Sequence, residues 1–256
     1  TMRTPGDDFE LAVGFLVSEG FVSLVGDVAG VRYCDEGVPD PQRNIVDVTP
    51  AAHVSVPEPN RNFLTSSSCG LCGKDSLDAV RTKALWAVAT DPVTVDRDVL
   101  LALPDRLREQ QVIFQRTGGL HAAGLFTPQG ETLCVREDVG RHNAVDKVIG
   151  WAMLEERLPL RGTILQVSGR TSFELVQKAW MAGIPVLSAV SAPSTLAVDL
   201  AAEAGMTLGG FTRGTAMNLY AGAQRVVVPS GSGVAAVVGR SLVGRSLVGR
   251  RRSRDV

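Results

Sequence analysis

Apolar side chains near the start of the chain recur with a helical period. Thr4-Pro5 supplies a capping residue followed by proline at a first helical position. An apolar stripe follows, which Gly20 can end: Phe9, Ala12, Val13, Leu16 and Val17. Residues 31–56, rich in valine, threonine and proline, predict a small sheet of short strands and turns. Two more helices are predicted, over residues 75–90 and 98–115, and we expect Pro104 to interrupt the second.

From residue 117 onward, strand-like runs alternate with helical ones. Residues 120–126 and 132–137 predict a hairpin across the turn 127–130. A helix follows, with Val145, Val148, Ile149 and Ala152 facing inward. The elements predicted next are strands over 163–168, 184–190 and 206–212, helices over 171–182 and 194–204, and an edge strand over 226–228. This alternation predicts an α/β domain whose sheet is covered on both faces.

The composition divides the chain into a body and a basic tail. Residues 230–256 hold six arginines and one aspartate and repeat Gly-Arg-Ser-Leu-Val, while the net charge of −1 leaves −6 for the body. We expect the tail to be a disordered appendage, because polar, charged segments bury too little to fold. The acidic body argues against a broad nucleic-acid surface. The predicted units are residues 1–65 (helix and small sheet), 66–116 (cysteine loop and helical connector), 117–229 (the α/β domain) and the tail.

Length and composition set the class of protein. The 256 residues suit one large domain or two small ones. No apolar run reaches the roughly 18 residues of a membrane span, and the sequence shows no signal peptide. Four cysteines are too few for a disulfide scaffold and favour a reducing compartment. Because Thr1 is not an initiator, we expect the natural N-terminus to lie upstream.

One short motif, Cys69-Gly70-Leu71-Cys72-Gly73-Lys74, carries the strongest chemical signal. Two thiols at this spacing can ligate a metal, cycle through a disulfide or carry a transferable sulfur. A thiolate at a helix N-terminus has a lowered pKa, and the glycines let another backbone approach the sulfur closely. Cys34 and Cys134 have no partner at such a spacing, and we interpret both as packing residues.

Three strand-to-helix or strand-to-turn junctions predict an anion site. They are Ser168–Ser172, Ser191–Thr195 and Phe211–Thr215, and the first should form a capping box from Thr171 and Glu174. Open α/β sheets bind phosphorylated ligands beyond the carboxyl ends of their strands, and Arg213 could recognise a phosphate or a planar base. The chain holds no Walker loop and no G-x-G-x-x-G, which disfavours an ordinary ATPase or dinucleotide-binding protein.

A fourth polar cluster spans residues 138–143. His142 and Asn143, with Asp138 and Asp146 near, could bind a base or a phosphate from a helix start. Two roles explain His121 nearly equally well: a core histidine with hydrogen-bond partners, or a residue of the site. His53 stands alone, and we expect a structural or exposed role for it.

Metal and thioredoxin-like chemistry fit the sequence poorly. A structural zinc site needs four ligands, and only one Cys-x-x-Cys pair exists. Zinc deaminases use His-x-Glu before Pro-Cys-x-x-Cys, whereas His121-Ala122-Ala123 lacks the glutamate and follows the cysteines. Thioredoxin-like proteins place the motif near a βαβ unit, without a glycine after each thiol. The remaining interpretation is an exposed thiol pair beside an anion-binding α/β domain.

Longer motifs resemble the formate dehydrogenase accessory sulfurtransferases, the FdhD/NarQ family. They run in order to about residue 222: TMRTPGDDFELAVGFLVSEG, SSSCGLCGKDSL, TGGLHAAGLF, REDVGRHNAVDKVIG, VSGRTSFELVQKAWMAGIPVLSAVSAPSTLAVDLA and GFTRGTAMNLY. The resemblance implies a cytidine-deaminase-like α/β domain that lacks the zinc site, and no tightly bound metal. The repeat tail is not a feature of the family, and an N-terminal strand usual there is absent.

The resemblance also implies a cytoplasmic location and an activity. Sulfur would pass from a cysteine desulfurase to the molybdenum (or tungsten) bis-molybdopterin guanine dinucleotide cofactor, for the catalytic subunit of formate dehydrogenase. By similarity Cys69 would carry a persulfide with Cys72 assisting, and the cofactor-binding residues would be Phe211, Thr212, Arg213, Gly214, Thr215 and Ala216. We add His142 and Arg170 to these from their junctions and expect a homodimer. The alternatives are a cofactor-binding chaperone without sulfur chemistry, for which the cysteines would be dispensable, and a metal-dependent deaminase.

Overall fold

A computed structural model describes residues 1–34, 43–55 and 84–228, with the backbone of Val237–Val238. Its centre is a mixed sheet of seven strands, in the order β11-β9-β8-β7-β6-β4-β5. Strands β6, β7 and β8 are parallel, while β4 and β9 run antiparallel to their neighbours β6 and β8. The seven strands are β4 (His121–Phe126), β5 (Thr132–Asp138), β6 (Ile164–Val167), β7 (Val186–Ala189), β8 (Thr207–Arg213), β9 (Ala216–Ala221) and β11 (Val237–Val238).

Two small sheets accompany the main one. The antiparallel pair β1 (Val28–Tyr33) and β2 (Val46–Pro50) is the small N-terminal sheet that the sequence predicts. Strands β3 (Val95–Asp96) and β10 (Val226–Val227) pair in parallel. The predicted edge strand at residues 226–228 therefore forms, but outside the main sheet.

Helices cover both faces of the main sheet, which confirms the predicted α/β class. One face packs against α1 (Asp8–Ser18), α4 (Arg141–Leu154), α5 (Phe173–Met181) and α6 (Thr195–Glu203). The other face packs against α2 (Arg97–Glu109), whose Leu100, Leu103 and Leu107 are buried with Phe126 and Ile164. The short helix α3 (Val112–Thr117) follows α2, and the Glu137 carboxylate accepts hydrogen bonds from two backbone N–H groups in its first turn. The boundaries predicted near residues 65 and 116 remain a prediction, although α1 shares one core with α4.

Glycines let α1 and α4 cross at backbone contact. A Cβ on Gly14 would lie 1.8 Å from the carbonyl oxygen of Asp146, and one on Gly150 would lie 1.8 Å from that of Glu10. A side chain at either position would therefore force the helices apart. Beside the crossing, the buried Asp146 carboxylate pairs with Lys178 at 2.8 Å and accepts a hydrogen bond from Ser18 at 2.7 Å. These contacts fix α4, whose N-terminus lies at the carboxyl edge of the sheet.

Several predicted boundaries are wrong. The first helix begins at Asp8, because the backbone N–H and hydroxyl of Thr4 are bound at the end of β5 instead of capping the helix. Helix α2 continues through Pro104, and the break comes at residues 110–111. Residues 84–87 have no regular structure and 88–90 form a 3-10 turn, so the predicted helix does not extend through them, while residues 75–83 lie outside the described residues.

Three strands, β3, β9 and β11, were not predicted at all. Strand β9 forms the hairpin partner of β8. Val237 and Val238, within the segment predicted to be disordered, pair in parallel with Asn218 and Leu219 of β9. The tail prediction is therefore wrong at these two residues, because an apolar run, Val-Ala-Ala-Val-Val, precedes the arginine repeats and can pair with the exposed edge of β9.

Candidate functional site

Five chain junctions meet at the carboxyl edge of β6, β7 and β8. Because these three strands are parallel, the junctions that follow them lie along one edge of the sheet. The antiparallel strand β4 begins at the same edge, and β5 ends there, since His121 and Asp138 are register partners. The edge thus gathers the predicted clusters at residues 138–143, 168–172, 191–195 and 211–215, together with His121.

Backbone hydrogen bonds join the junctions to one another. The N–H of Thr171 donates to Ala192 O at 3.1 Å, and the N–H of Ser194 donates to Thr171 O at 2.9 Å. On the far side, the N–H of Phe211 donates to Ser191 O at 3.2 Å. The loops after β6 and β7 and the end of β8 therefore form one continuous ledge.

The predicted capping box at the start of α5 does not form. The helix begins at Phe173 with Ser172 at its cap, so Thr171 lies outside it and is buried by the bonds to the neighbouring loop. In contrast, Ser194 does cap α6, because its hydroxyl accepts from the N–H of Ala197. Backbone hydrogen bonds to the loop after β7, and not a helix cap, therefore hold the loop after β6 in place.

Two basic side chains pack at the β4 end of this ledge. His121 is half-buried, and its Nδ1 lies 3.2 Å from the place where a Cβ on Gly169 would stand, so a side chain there would press on the imidazole. Burial and then the charge of Arg141 lower the pKa of His121. The Nε of Arg141 is buried and has no hydrogen-bond partner. A buried guanidinium N–H without an acceptor is costly, so this atom is suited to bind an anionic ligand.

His142 is held by α5. Its Nε2 lies 3.1 Å from Ser172 Oγ and 3.9 Å from a carboxylate oxygen of Glu174. Burial, followed by the charges of Arg141 and Lys178, lowers the pKa of His142 to about 4. The imidazole is therefore neutral near pH 7.

The end of β8 and the turn that joins it to β9 are largely exposed, and their backbone is unusual. Phe211 is 41 % exposed and has a φ of +52°, at a bulge between β8 and β9. A bulky residue rarely adopts this conformation, and such strain is found most often at functional sites. Arg213 and Gly214 are also exposed, with Gly214 at a φ of +56°. Thr215 and Ala216 complete the exposed turn.

Not every predicted binding residue faces solvent. Thr212 is fully buried, and its hydroxyl is paired with Ser188 at 3.1 Å. Arg170 is exposed, next to the buried Thr171. Of the eight residues predicted to bind the cofactor, Thr212 therefore supports the loop from beneath.

The carboxylates of the 138–143 cluster have internal partners. Asp138 is fully buried and pairs with Lys147 at 3.0 Å, and its oxygens also accept from Thr4, Gly140 and Asn143. Asn143 in addition donates to Met2 O. These two residues and Asp146 hold the N-terminal arm and α5 in place, and only Arg141 and His142 remain for a ligand. Sequence reasoning did not select Arg141, whose signal is its place as the first residue of a helix that begins after glycine.

The cysteines divide into two groups. Cys69 and Cys72 lie outside the described residues, so their predicted role stays a prediction. Burial raises the pKa of the Cys134 thiol to about 12, which removes it as a nucleophile near pH 7. Cys34 is half-buried, and its N–H extends the β1–β2 pairing to Ile45 O.

The described part of the chain holds neither a metal-binding cluster nor a membrane-spanning helix. Within residues 1–34, 43–55 and 84–228, no group of three His, Cys, Asp or Glu side chains is placed to hold a metal ion. Over the same residues, none of the helices has the length and apolar character needed to cross a membrane.

Comparison with known proteins shows the family to which most of the chain is similar. The model of the FdhD/NarQ family matches residues 1–227. Sulfur carrier protein FdhD of Streptomyces coelicolor is 60 % identical over 238 residues, which cover 91 % of this chain and 84 % of that protein. Sulfur carrier protein FdhD of Saccharolobus solfataricus is 43 % identical over 225 residues, which cover 88 % of this chain and 82 % of that protein.

A solved structure shares the fold. It is a crystal structure from Desulfotalea psychrophila described as a formate dehydrogenase accessory protein. The TM-score is 0.67 and the sequence identity 23 %, over 89 % of this chain and 83 % of that one.

Proposed function

The chain belongs to the FdhD/NarQ family, and from this membership we propose that it is a sulfurtransferase for formate dehydrogenase. It takes sulfur from a cysteine desulfurase as a persulfide on Cys69 and passes it to the molybdenum (or tungsten) bis-molybdopterin guanine dinucleotide cofactor. That cofactor is the cargo of the reaction and not a resident group. The relatives named sulfur carrier protein FdhD support the sulfur-carrying part of the proposal.

The observation that carries the cofactor part is the buried, unpartnered Nε of Arg141 at the carboxyl edge of the sheet. A bis-molybdopterin guanine dinucleotide carries diphosphates, which would satisfy this N–H. The same edge offers the exposed Arg170 and Arg213. The exposed ring of Phe211 can stack on a heterocycle.

The sulfur step follows thiol–disulfide chemistry. The Cys69 thiolate attacks the outer sulfur of the donor's persulfide, the new S–S bond forms as the donor's S–S bond breaks, and the donor keeps a thiolate. For release, the Cys72 thiolate attacks Cys69 Sγ, so that a disulfide forms and hydrosulfide leaves with the electron pair of the broken bond. A thiol reductant then restores the pair. Neither described cysteine fits this role, since the thiol of Cys134 has a pKa of about 12 and Cys34 lies at the small N-terminal sheet.

Three finer points belong to the same proposal. The sheet domain is a relative of the cytidine deaminases without their zinc site, the protein acts in the cytoplasm, and two copies form a dimer. None of the three is needed for the sulfur step.

Intact mass spectrometry tests the proposal directly. After incubation with a desulfurase and cysteine, the chain should gain one sulfur atom, about 32 Da. The gain should vanish in Cys69→Ala and persist in Cys34→Ala, the matched control. Cys72→Ala should load sulfur but retain it when the acceptor is supplied. A wild-type chain that binds GDP yet never gains sulfur would instead be a cofactor-binding chaperone.

A further inference from the structure

Residues 1–4 form an arm without regular structure that lies against the junction between β5 and α4. Thr4 uses all of its polar groups there. Its N–H donates to Asp138 Oδ2 at 3.0 Å, and its hydroxyl accepts from the N–H of Val139 at 2.9 Å. Its carbonyl oxygen accepts from Lys147 Nζ at 3.0 Å. Because these partners belong to β5, to the turn after it and to α4, Thr4 ties the three together.

The arm completes the hydrogen bonding of a buried ion pair. The side chains of Asp138 and Lys147 are 0 % and 1 % exposed, and they pair at 3.0 Å. Asp138 also accepts from the N–H of Gly140, and Lys147 also donates to Glu137 O. A buried ion pair is stable only when its remaining lone pairs and protons have partners. Thr4 supplies one partner to each ion, so loss of the arm would leave both ions with fewer partners than they need.

Asn143 makes a second link between the arm and the start of α4. Its Nδ2 group donates to Met2 O and to Asp138 Oδ1, both at 2.9 Å. The same Oδ1 accepts from the N–H of Gly140, the residue before α4. Arg141, whose Nε is buried without a partner, lies between Gly140 and Asn143. Its position therefore follows from these contacts. The clamp consists of Thr4, Asp138, Asn143 and Lys147.

Arg3 fixes the arm on its other side. Its guanidinium bonds to both oxygens of the Asp8 carboxylate, at 2.6 and 3.1 Å, and such bidentate pairs are among the stronger polar contacts. It also donates to Asn44 Oδ1 at 3.2 Å and to Arg43 O at 3.1 Å. Asp8 begins α1, and the other two residues precede β2. The arm is thus held by α1 and the segment before β2 at one residue, and by the clamp at the next.

We propose that Thr4 and Asn143 are positioning residues of the anion site, which hold the first turn of α4, and with it the Arg141 guanidinium, in the arrangement that binds the phosphates of the cargo. The inference rests on the proposed cofactor site and adds the N-terminal arm to it. Neither residue needs to touch the ligand, because both act through the clamp. Asp138 and Lys147 are unsuitable for a test, since loss of either leaves the other as a buried, unpaired charge.

Amide hydrogen exchange tests the positioning without any ligand. The reporters are the N–H of Gly140, which the clamp carboxylate binds, and that of Ala144, which donates to Gly140 O at 3.0 Å. Asn143→Ala should speed exchange at both about tenfold and Thr4→Val about threefold, because the first removes more than one hydrogen bond and the second removes one. The N–H of Gly130, in the turn at the opposite end of β5, should exchange as in the wild type. Unchanged exchange at both reporters would overturn the proposal.

Calorimetric titration of the full chain with inorganic pyrophosphate tests the consequence for binding. Asn143→Ala should weaken binding about tenfold and Thr4→Val about threefold, whereas Thr4→Ser, which keeps the hydroxyl, should bind as the wild type does. The matched control is Thr49→Val, exposed on β2, which should change nothing.

The double variant Thr4→Val/Asn143→Ala separates positioning from direct contact. It should bind no more weakly than Asn143→Ala alone, because both substitutions release the same clamp. An additive loss of about thirtyfold would show that Asn143 contacts the ligand itself and would overturn the assignment. So would wild-type affinity in Asn143→Ala.

The failure of this inference can be told from a failure of the proposed function. If the wild type loads sulfur but does not bind pyrophosphate, the positioning role is refuted and sulfur transfer stands. If the variants show the predicted changes in exchange and binding but the wild type never loads sulfur, Thr4 and Asn143 keep their assignment and the transferase proposal is refuted.

Discussion

Gly150→Ala tests how tightly the site is fixed to the rest of the molecule. The new Cβ would lie 1.8 Å from Glu10 O and 2.8 Å from Glu10 Cα, against ordinary contact from 3.4 Å. The obstacle is main chain, so no rotamer change can relieve it, and α1 must move away from α4 by roughly 1.5 Å.

The size of the effect follows from two opposing terms. Overpacking of a core costs about 1–3 kcal/mol, and a clash between backbones belongs at the upper end. Replacing glycine by alanine within a helix stabilises the helix by up to about 1 kcal/mol. The free energy of unfolding should therefore fall by about 2 kcal/mol, which lowers the melting temperature of a chain this size by about 4–8 °C.

Thermal unfolding followed by circular dichroism measures the change. The matched control is Gly26→Ala, since a Cβ on Gly26 would meet nothing within 4 Å, and it should shift the midpoint by less than about 2 °C. If Gly150→Ala melts at or above the wild-type temperature, the helices separate without cost, and the close crossing is not what positions α4.

Three further outcomes are expected. Arg213→Ala should weaken GDP binding about tenfold in calorimetry, as loss of one charge-assisted contact would, and equal affinity would remove the loop after β8 from the site. The pKa of His142 falls from about 6.5 to about 4 on folding, so the wild type should lose up to about 3 kcal/mol of stability as the pH is lowered through this range. Denaturant titrations of His142→Phe should lack this loss. Ending the chain after Pro229 removes β11 and should lower the melting temperature by about 2–4 °C, whereas ending it after Gly239 should leave it unchanged; equal melting of both truncations would show that β11 contributes nothing.

Periodicity was sufficient for the central part of the fold. The hairpin of β4 and β5 and the alternation from β6 to β8 were predicted because buried strands and amphipathic helices leave strong local patterns. Local rules failed where distant residues decide. Thr4 looks like a helix cap but bonds to the end of β5, and Pro104 looks like a break but lies in a helix held by its buried leucines.

The candidate site, too, was predictable from the sequence only in part. Its position was predictable, because parallel strands place their following loops at one edge. The roles of single residues were not, since Asp138 and Asn143 look like ligands until the N-terminal arm binds them. Arg141 became prominent only once its Nε proved to be buried without a partner.

The backbone bonds that tie Thr171 to Ala192 and Ser194 have a consequence for the energetics of recognition. They continue the parallel ladder beyond the strands, so the amides of Thr171 and Ser194 should resist hydrogen exchange much as those of β6 and β7 do. A ligand that settles on this ledge orders little backbone there, and the entropic penalty of binding falls chiefly on side chains and on the turn at Gly214. Under the proposed function, a cargo of matching shape would bind to a rigid template, and one of the wrong shape would be rejected because the ledge does not adapt.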